Sequence, residues 1–331
     1  MGGGFSAVNF FARIKFRERS WSLSAVFCNI LVFMPNLVSY IEIIVARLMG
    51  SYRILYGMGK IFAIFICALV LCGCSVGDSR PDSRRKVAVQ TYSLHKYTLE
   101  EALEILAPMG IDGVECYPEQ VLSKSMPEVR ITPKMTKEQR NYLKSLFKKH
   151  NLKMASYGVC FGHNESGIRE ICEFAKDFGC GSVITEDRED LFPLWEKYAD
   201  KYGLTVSIHH HKKDSRNRYY DADYMREKLN GYKHIKGNPD IGHLSLSGIE
   251  PMYYLKVLSG RIGSLHFKDQ PEFGNPNGRC VPLGDGVLGN KSMLEELDRQ
   301  GYSGYYVVEY EEDVPSLIED IEKCVLFLRQ N

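Results

Sequence analysis

The sequence predicts an α/β chain folded as a single (β/α)8 barrel behind a signal-type leader. Three observations predict it. From Lys86 onward, short β-rich runs alternate with amphipathic helical stretches. Eight such pairs occupy roughly 245 residues, and barrels of this kind take about 250. No GxGxxG follows the first run, the turn by which an open doubly wound sheet holds a dinucleotide. The doubly wound sheet stays as the alternative, and nothing within 86–331 marks a second folded domain.

The β-rich runs are 86–92, 113–117, 153–159, 182–186, 205–211, 235–240, 262–269 and 305–311. Helical stretches lie between and after them, at 98–109, 135–150, 165–178, 189–202, 221–230, 251–259, 290–300 and 313–329. Thr98 with Glu101, and Thr136 with Gln139, have the spacing of a capping box. Gly110, Gly179, Gly203 and Gly301 fall just past helix ends, where a left-handed residue closes the last turn.

Alternation along the runs tests the barrel. In 205–211, Val206 and Ile208 share one face, and Ser207, His209 and His211 the other. In 262–269, Leu265 and Phe267 oppose Ser264, His266 and Lys268. In 305–311, Tyr306, Val308 and Tyr310 oppose Val307, Glu309 and Glu311. The outer face of a barrel strand is covered by apolar helices, so the polar set points inward. His209 and His211 then face the barrel and His210 faces away. The strands' C-terminal ends, where these residues lie, are where this fold places its chemistry.

The composition is that of an ordinary globular chain. Of 331 residues, 44% are hydrophobic and 25% charged, with a net charge of +1. No basic excess points to nucleic acid, and no acidic block points to a disordered tail. The short RRK at 84–86 reads as a solvated linker.

The leader reads differently. Residues 23–49 are apolar but carry Pro35, Glu42 and Arg47. The run 61–74, IFAIFICALVLCGC, follows Arg53 and Lys60, is shorter than a membrane span and ends in small residues. That describes a secretory signal, with one or two transmembrane helices as the alternative. Its end, Leu71 to Cys74, resembles the lipobox of bacterial lipoproteins, which implies a lipidated Cys74 as mature N-terminus. Residues 1–57 are then an upstream extension, 58–74 the signal peptide and 75–85 a polar tether. The expected place is the bacterial cell envelope, lipid-anchored and facing the periplasm or cell surface. Of ten cysteines, Cys28, Cys67, Cys72 and Cys74 lie in this leader. The other six form no CxxC, which argues against a thiolate zinc site and for buried thiols.

Several strands end in metal-capable residues. Glu115 ends the second, Glu186 the fourth, His209 and His211 the fifth, Asp240 the sixth, His266 the seventh and Glu309 the eighth. Imidazoles and carboxylates converging on one rim suit one divalent ion such as Mn, Zn, Co or Fe(II). Such an ion holds a carbonyl beside a hydroxyl and acidifies the C–H between them. His211 and Glu309 are candidate bases, with Glu186 a third. Lys268 can balance charge or bind a substrate oxygen, and His243 can orient substrate or support a ligand. Tyr92, Glu115 and Glu311 are candidate substrate contacts. PLGDG at 282–286 reads as a tight loop over the mouth.

These residues resemble a known family. VQTYSL (89–94), GVECY (113–117), IHHH (208–211), DIGH (240–243), LHFKD (265–269), PLGDG (282–286) and VVEYE (307–311) are similar to the xylose-isomerase-like TIM barrels. That superfamily holds sugar isomerases and epimerases, inosose dehydratase and endonuclease IV. Its epimerases bind one metal through Glu, Asp, His and Glu on strands five to eight. The resemblance implies that Asp240, His266 and Glu309 take the last three places. His209 stands where those epimerases have the first Glu, which puts a two-glutamate proton shuttle in doubt. The departure is similar to an exported subgroup with HNH or HHH on strand five and a Glu ending strand four, here Glu186. Relatives of that subgroup resemble lyases that cleave 3-keto-glycosides by elimination across C1–C2. A ketose or sugar phosphate isomerase or epimerase stays open beside the lyase, and a non-catalytic sugar-binding lipoprotein is the reading from another class. Glycosides rather than phosphosugars reach the envelope, which favours the lyase.

Overall fold

The computed structural model describes residues 85–213 and 217–331. The leader, with its signal peptide, Cys74 and nearly all of the tether, lies outside the described residues. Among the described residues, no helix is long and apolar enough to cross a membrane.

Ten strands follow in chain order. They are β1 Lys86–Gln90, β2 Gly113–Cys116, β3 Val121–Ser123, β4 Met126–Arg130, β5 Met154–Cys160, β6 Ser182–Thr185, β7 Thr205–His209, β8 Ile235–Asn238, β9 Leu265–Phe267 and β10 Tyr305–Val308. Eight of them form one parallel sheet in the order β8-β7-β6-β5-β2-β1-β10-β9. Isolated parallel bridges, Gly237 to Ile262 and Asp240 to His266, join its two edges and close the (β/α)8 barrel. Pro239 has no N–H to give, which interrupts the ladder at this closure.

The predicted alternation holds. Val206, Ile208, Leu265, Phe267, Tyr306 and Val308 belong to the large apolar layer between strands and helices. Ala88, Ala155 and Val307 form a separate small cluster, with Tyr305 packed against it. Further along the same inward faces, Gln90, Glu115, Ser156 and Ser207 are buried. Both capping boxes are present, on helices Leu99–Leu106 and Lys137–His150. Gly110 and Gly203 close their helices at φ 71° and 67°. All six described cysteines are buried free thiols.

Three local readings are corrected. The fifth barrel strand stops at His209, so His210 and His211 start the following loop. The seventh shrinks from 262–269 to Leu265–Phe267. The hairpin β3–β4 and a short helix, Ile241–Leu246, were not expected. That helix starts where it does because the Asp240 carboxylate caps it, accepting from His243 N–H at 2.7 Å.

Candidate active site

His209 ends β7 with its imidazole buried. Its Nδ1 donates to Asn238 Oδ1 at 2.7 Å, since that oxygen can only accept. Nε2 therefore keeps its lone pair. Burial, with His266 and His211 close by, pushes the imidazole down to about 3, so it is neutral and able to ligate. On the neighbouring strand edge, Asp240 uses Oδ1 to cap its helix and leaves Oδ2 directed at His266 Nδ1, 3.5 Å away. Glu309, just past β10, places Oε2 2.9 Å from the same Nδ1.

His266 is held from behind. Its Nε2 donates to Glu115 Oε1 at 2.7 Å. Gln90 Nε2 donates to the same oxygen at 2.8 Å, and Ser156 to the other. Burial opposes a charged His266, but Glu309 and Glu115 outweigh it and keep the imidazole protonated well above its usual range. For Asp240, burial is outweighed by His243, Lys268 and His266, which hold it well below the usual range. Lys268 and His266 do the same for Glu309.

Asp240 Oδ2, His266 Nδ1 and Glu309 Oε2 are buried and carry no hydrogen bond. Ligand atoms of His209, Asp240 and His266 all lie within 4.8 Å of one another. Three buried ligand atoms drawn to one spot by ion pairs alone, beside a neutral imidazole, fit a divalent cation: two carboxylates would neutralise it, and it would take the place of the His266 proton and of Lys268 on those carboxylates. Lys268 Nζ, itself buried, bridges the same two carboxylates, 3.0 Å from Asp240 Oδ2 and 2.9 Å from Glu309 Oε2, and also pairs with Glu311.

A second group lies beside the first. His211, with 39% of its side chain exposed, gives Nδ1 to Glu186 at 2.9 Å. Glu186 also accepts from His211 N–H at 3.2 Å and from Asn217 at 3.0 Å. Burial raises the Glu186 carboxyl, but the His211 bond and the electrostatic pull of the neighbouring His209 and His211 imidazoles outweigh it, to about 2. The Glu186 bond in turn raises His211. The His211 ring stands edge-on to His209, centroids 4.9 Å apart, and 5.0 Å from His243. His209, His211 and His243 also offer atoms within 4.8 Å of one another. His211, like His209, keeps Nε2 free, so the choice rests on charge: we take the carboxylate-bearing group as the metal-capable one because it brings anionic ligands to a divalent ion.

The structure thus brings His209, Asp240, His266, Glu309, Lys268 and Glu311 together, with His211 and His243 adjoining. Glu186 meets His211 rather than the inner group. Glu115, expected at the substrate, does not reach the mouth: it is fully buried behind His266. Tyr92 is 37% exposed and packs edge-on against Tyr117 at 5.0 Å. The sequence reading missed Asn238, Gln90, Ser156 and Asn217. Asn238 was findable, because it is two residues before Asp240 on the same face. The glycines of 282–286 have a plain cause: Asp269 Oδ2 accepts from Gly284 and Gly286 N–H at 2.9 and 3.3 Å. A Cβ on Gly286 would lie 2.2 Å from Asp269 Oδ1.

His210 faces away from the site and holds it from outside. Its Nε2 accepts the Asp240 N–H at 3.1 Å, and its ring lies 5.3 Å from Tyr254. His210→Ala leaves that buried N–H unpaired, at a cost of about 1–3 kcal/mol. We expect a lower denaturation midpoint with bound metal retained, checked by urea melts and metal content. Metal loss without loss of stability would overturn this role.

A profile of the family described as xylose isomerase-like TIM barrel matches residues 103–330, more than half of the chain. The chain belongs to the xylose isomerase-like TIM barrel family. Inosose dehydratase of Bacillus cereus is 28% identical over 185 residues, covering 49% of this chain and 58% of that protein. The chain thus spans little more than half the length of such curated relatives. An uncharacterized protein of Parabacteroides distasonis superposes with TM-score 0.60 at 27% identity, over 74% of this chain and 98% of that one. The 3-keto-D-glucoside 4-epimerase of E. coli superposes with TM-score 0.58 at 17% identity, over 75% and 100%, a likeness of fold.

Proposed function

We propose that this xylose isomerase-like barrel is a divalent-metal-dependent lyase that cleaves 3-keto-glycosides by 1,2-elimination. The observation that carries the reading is the pairing of two groups. One is a buried set of converging ligand atoms without hydrogen bonds, on Asp240, His266 and Glu309 with His209. The other is a half-exposed imidazole, His211, backed by its own carboxylate. The metal, when bound, supplies polarisation of the C3 ketone, which acidifies the C2–H.

His211 does the proton work. Glu186 fixes its Nδ1, so Nε2 is the nitrogen left for substrate. It takes the C2 proton, and the C2–H electron pair becomes the C1=C2 double bond. The C1–O bond breaks with its pair on the aglycone oxygen, and that oxygen takes up a proton, for which protonated His211 is the donor at hand. Lys268, Glu311 and Tyr92 are placed to hold sugar hydroxyls. Elimination also fits the relatives' name: a dehydratase removes water where this enzyme removes an alcohol or phenol. His209 in place of a glutamate disfavours a two-carboxylate epimerase shuttle.

The test is incubation of the metal-loaded protein with 3-keto-glycosides and with free ketoses. Aglycone release with formation of a 2-hydroxy enone supports the lyase. Epimers or isomers of the ketoses without release would make the chain an isomerase or epimerase. No bound metal and no turnover would leave a sugar-binding protein.

The reading includes a lipid anchor on Cys74, motivated by the LCGC ending and the polar tether after it. We expect Cys74→Ala to release the protein from membranes when host cells are fractionated. Continued retention would point to a transmembrane anchor instead.

A further inference from the structure

A cleft of about 1040 Å³ opens between the β3–β4 hairpin and the loop after β5, lined among others by Tyr117, Phe161 and His163. Tyr117 follows β2 and Phe161 follows β5, strands adjacent in the barrel, and β6 with Glu186 comes next. The cleft is therefore a sector of the mouth. On one side Tyr117 touches Tyr92, a proposed sugar contact. On the other, Gly162 N–H donates to Asp187 at 2.8 Å, next in sequence to Glu186.

Its floor is aromatic and open to water. Phe161 is 46% exposed and stacks on His163, rings 13° from parallel and 5.8 Å apart. His163 and Glu119, both on the lining, hold φ of 58° and 67°. A non-glycine residue there costs on the order of 1–3 kcal/mol, which marks an over-determined and often functional backbone. The charged lining residues are Glu119, Glu128, Glu170, Arg130 and Lys134, three acids against two bases. Arg130 is engaged with the Pro127 carbonyl. Two helix N-termini also border the cleft, but Asn164 and Thr136 already cap them, and the side chains do not gather into a cationic pocket.

We infer that this cleft is the aglycone subsite and that it takes an uncharged planar ring, stacked on Phe161. The inference rests on the keto-glycoside reading for its substrate and deepens it. A flat ring offers the stacking area that a small alkyl aglycone lacks, and an aromatic pair of this kind is worth about 2- to 10-fold in affinity.

The test has a turnover arm and a binding arm. The kcat/KM ratio of phenyl to methyl 3-keto-β-glucoside is measured for the wild type and for Phe161→Ala. Comparing the two proteins cancels the better leaving ability of phenol. We expect the ratio to fall about 5- to 10-fold in Phe161→Ala and to be kept in Phe161→Trp. An unchanged ratio in Phe161→Ala overturns the subsite. Saturation-transfer NMR on unoxidised phenyl β-glucoside reports contact without turnover. Enhanced ring protons that disappear in Phe161→Ala support the subsite even if neither keto-glycoside is cleaved, in which case only the lyase reading falls. Absence of ring enhancement in the wild type overturns the subsite, whatever the turnover.

Discussion

Replacing His211 with alanine should lower turnover of a 3-keto-glycoside by about 10²–10⁴ while bound metal stays at the wild-type level. The size is that of a general acid–base residue, and the geometry says why metal survives. His211 lies beyond the last residue of β7 and is partly exposed, whereas the buried ligand atoms beside two carboxylates belong to Asp240, His266 and Glu309. Kinetics and metal analysis on the same preparation check it. Parallel loss of metal would move His211 into the ligand set with His209 and His243. Glu186→Gln adds a sign. Glu186 raises the His211 pKa, so without it the His211 inflection in the pH–rate profile should move to lower pH.

His266→Ala should do two kinds of damage. It removes a proposed ligand, so bound metal should fall. It also strands Glu115, which is fully buried and has His266 as its imidazole partner at 2.7 Å. Removing one member of a buried ion pair costs about 3–5 kcal/mol, roughly 6–20 °C in Tm for a domain of this size. Gln90 and Ser156 still donate to Glu115 but bring no charge. Adding Glu115→Gln to the His266 variant should therefore restore much of the melting temperature and none of the metal. If the double variant melts as low as the single one, the Glu115–His266 pair is not what holds this layer.

The contrast between these residues shows what a sequence can disclose. His209, His266 and Glu309 were legible because strand period and a polar interior face are local properties, visible within seven or eight residues. Glu115 was legible as inward-facing but not in its role, because its partner His266 lies 151 positions away. His211 was assigned to a strand on alternation alone. The chain leaves the ladder at His209, and Glu186, just past the neighbouring strand β6, fixes the His211 backbone instead. The hairpin β3–β4 escaped because its strands have only three and five residues and the second carries exposed and charged positions. The barrel itself was the easiest part to read, since eight repeats of one pattern reinforce one another.

The closure between β8 and β9 has a consequence for how the barrel opens. Elsewhere neighbouring strands share runs of paired residues, but here isolated bridges and the hydrogen bonds around Gly237, Gly263 and His266 make the join. Asp240 stands on one side of that join and His266 on the other. A cation gripped by both is a rivet through the barrel's seam. Removing it frees the two halves of the ligand set to part company, so the metal-free protein should breathe first along this line. Its backbone amides there would exchange with solvent while the β5–β6–β7 wall stays closed. On the proposed function, catalysis and barrel integrity would hang on the same few atoms.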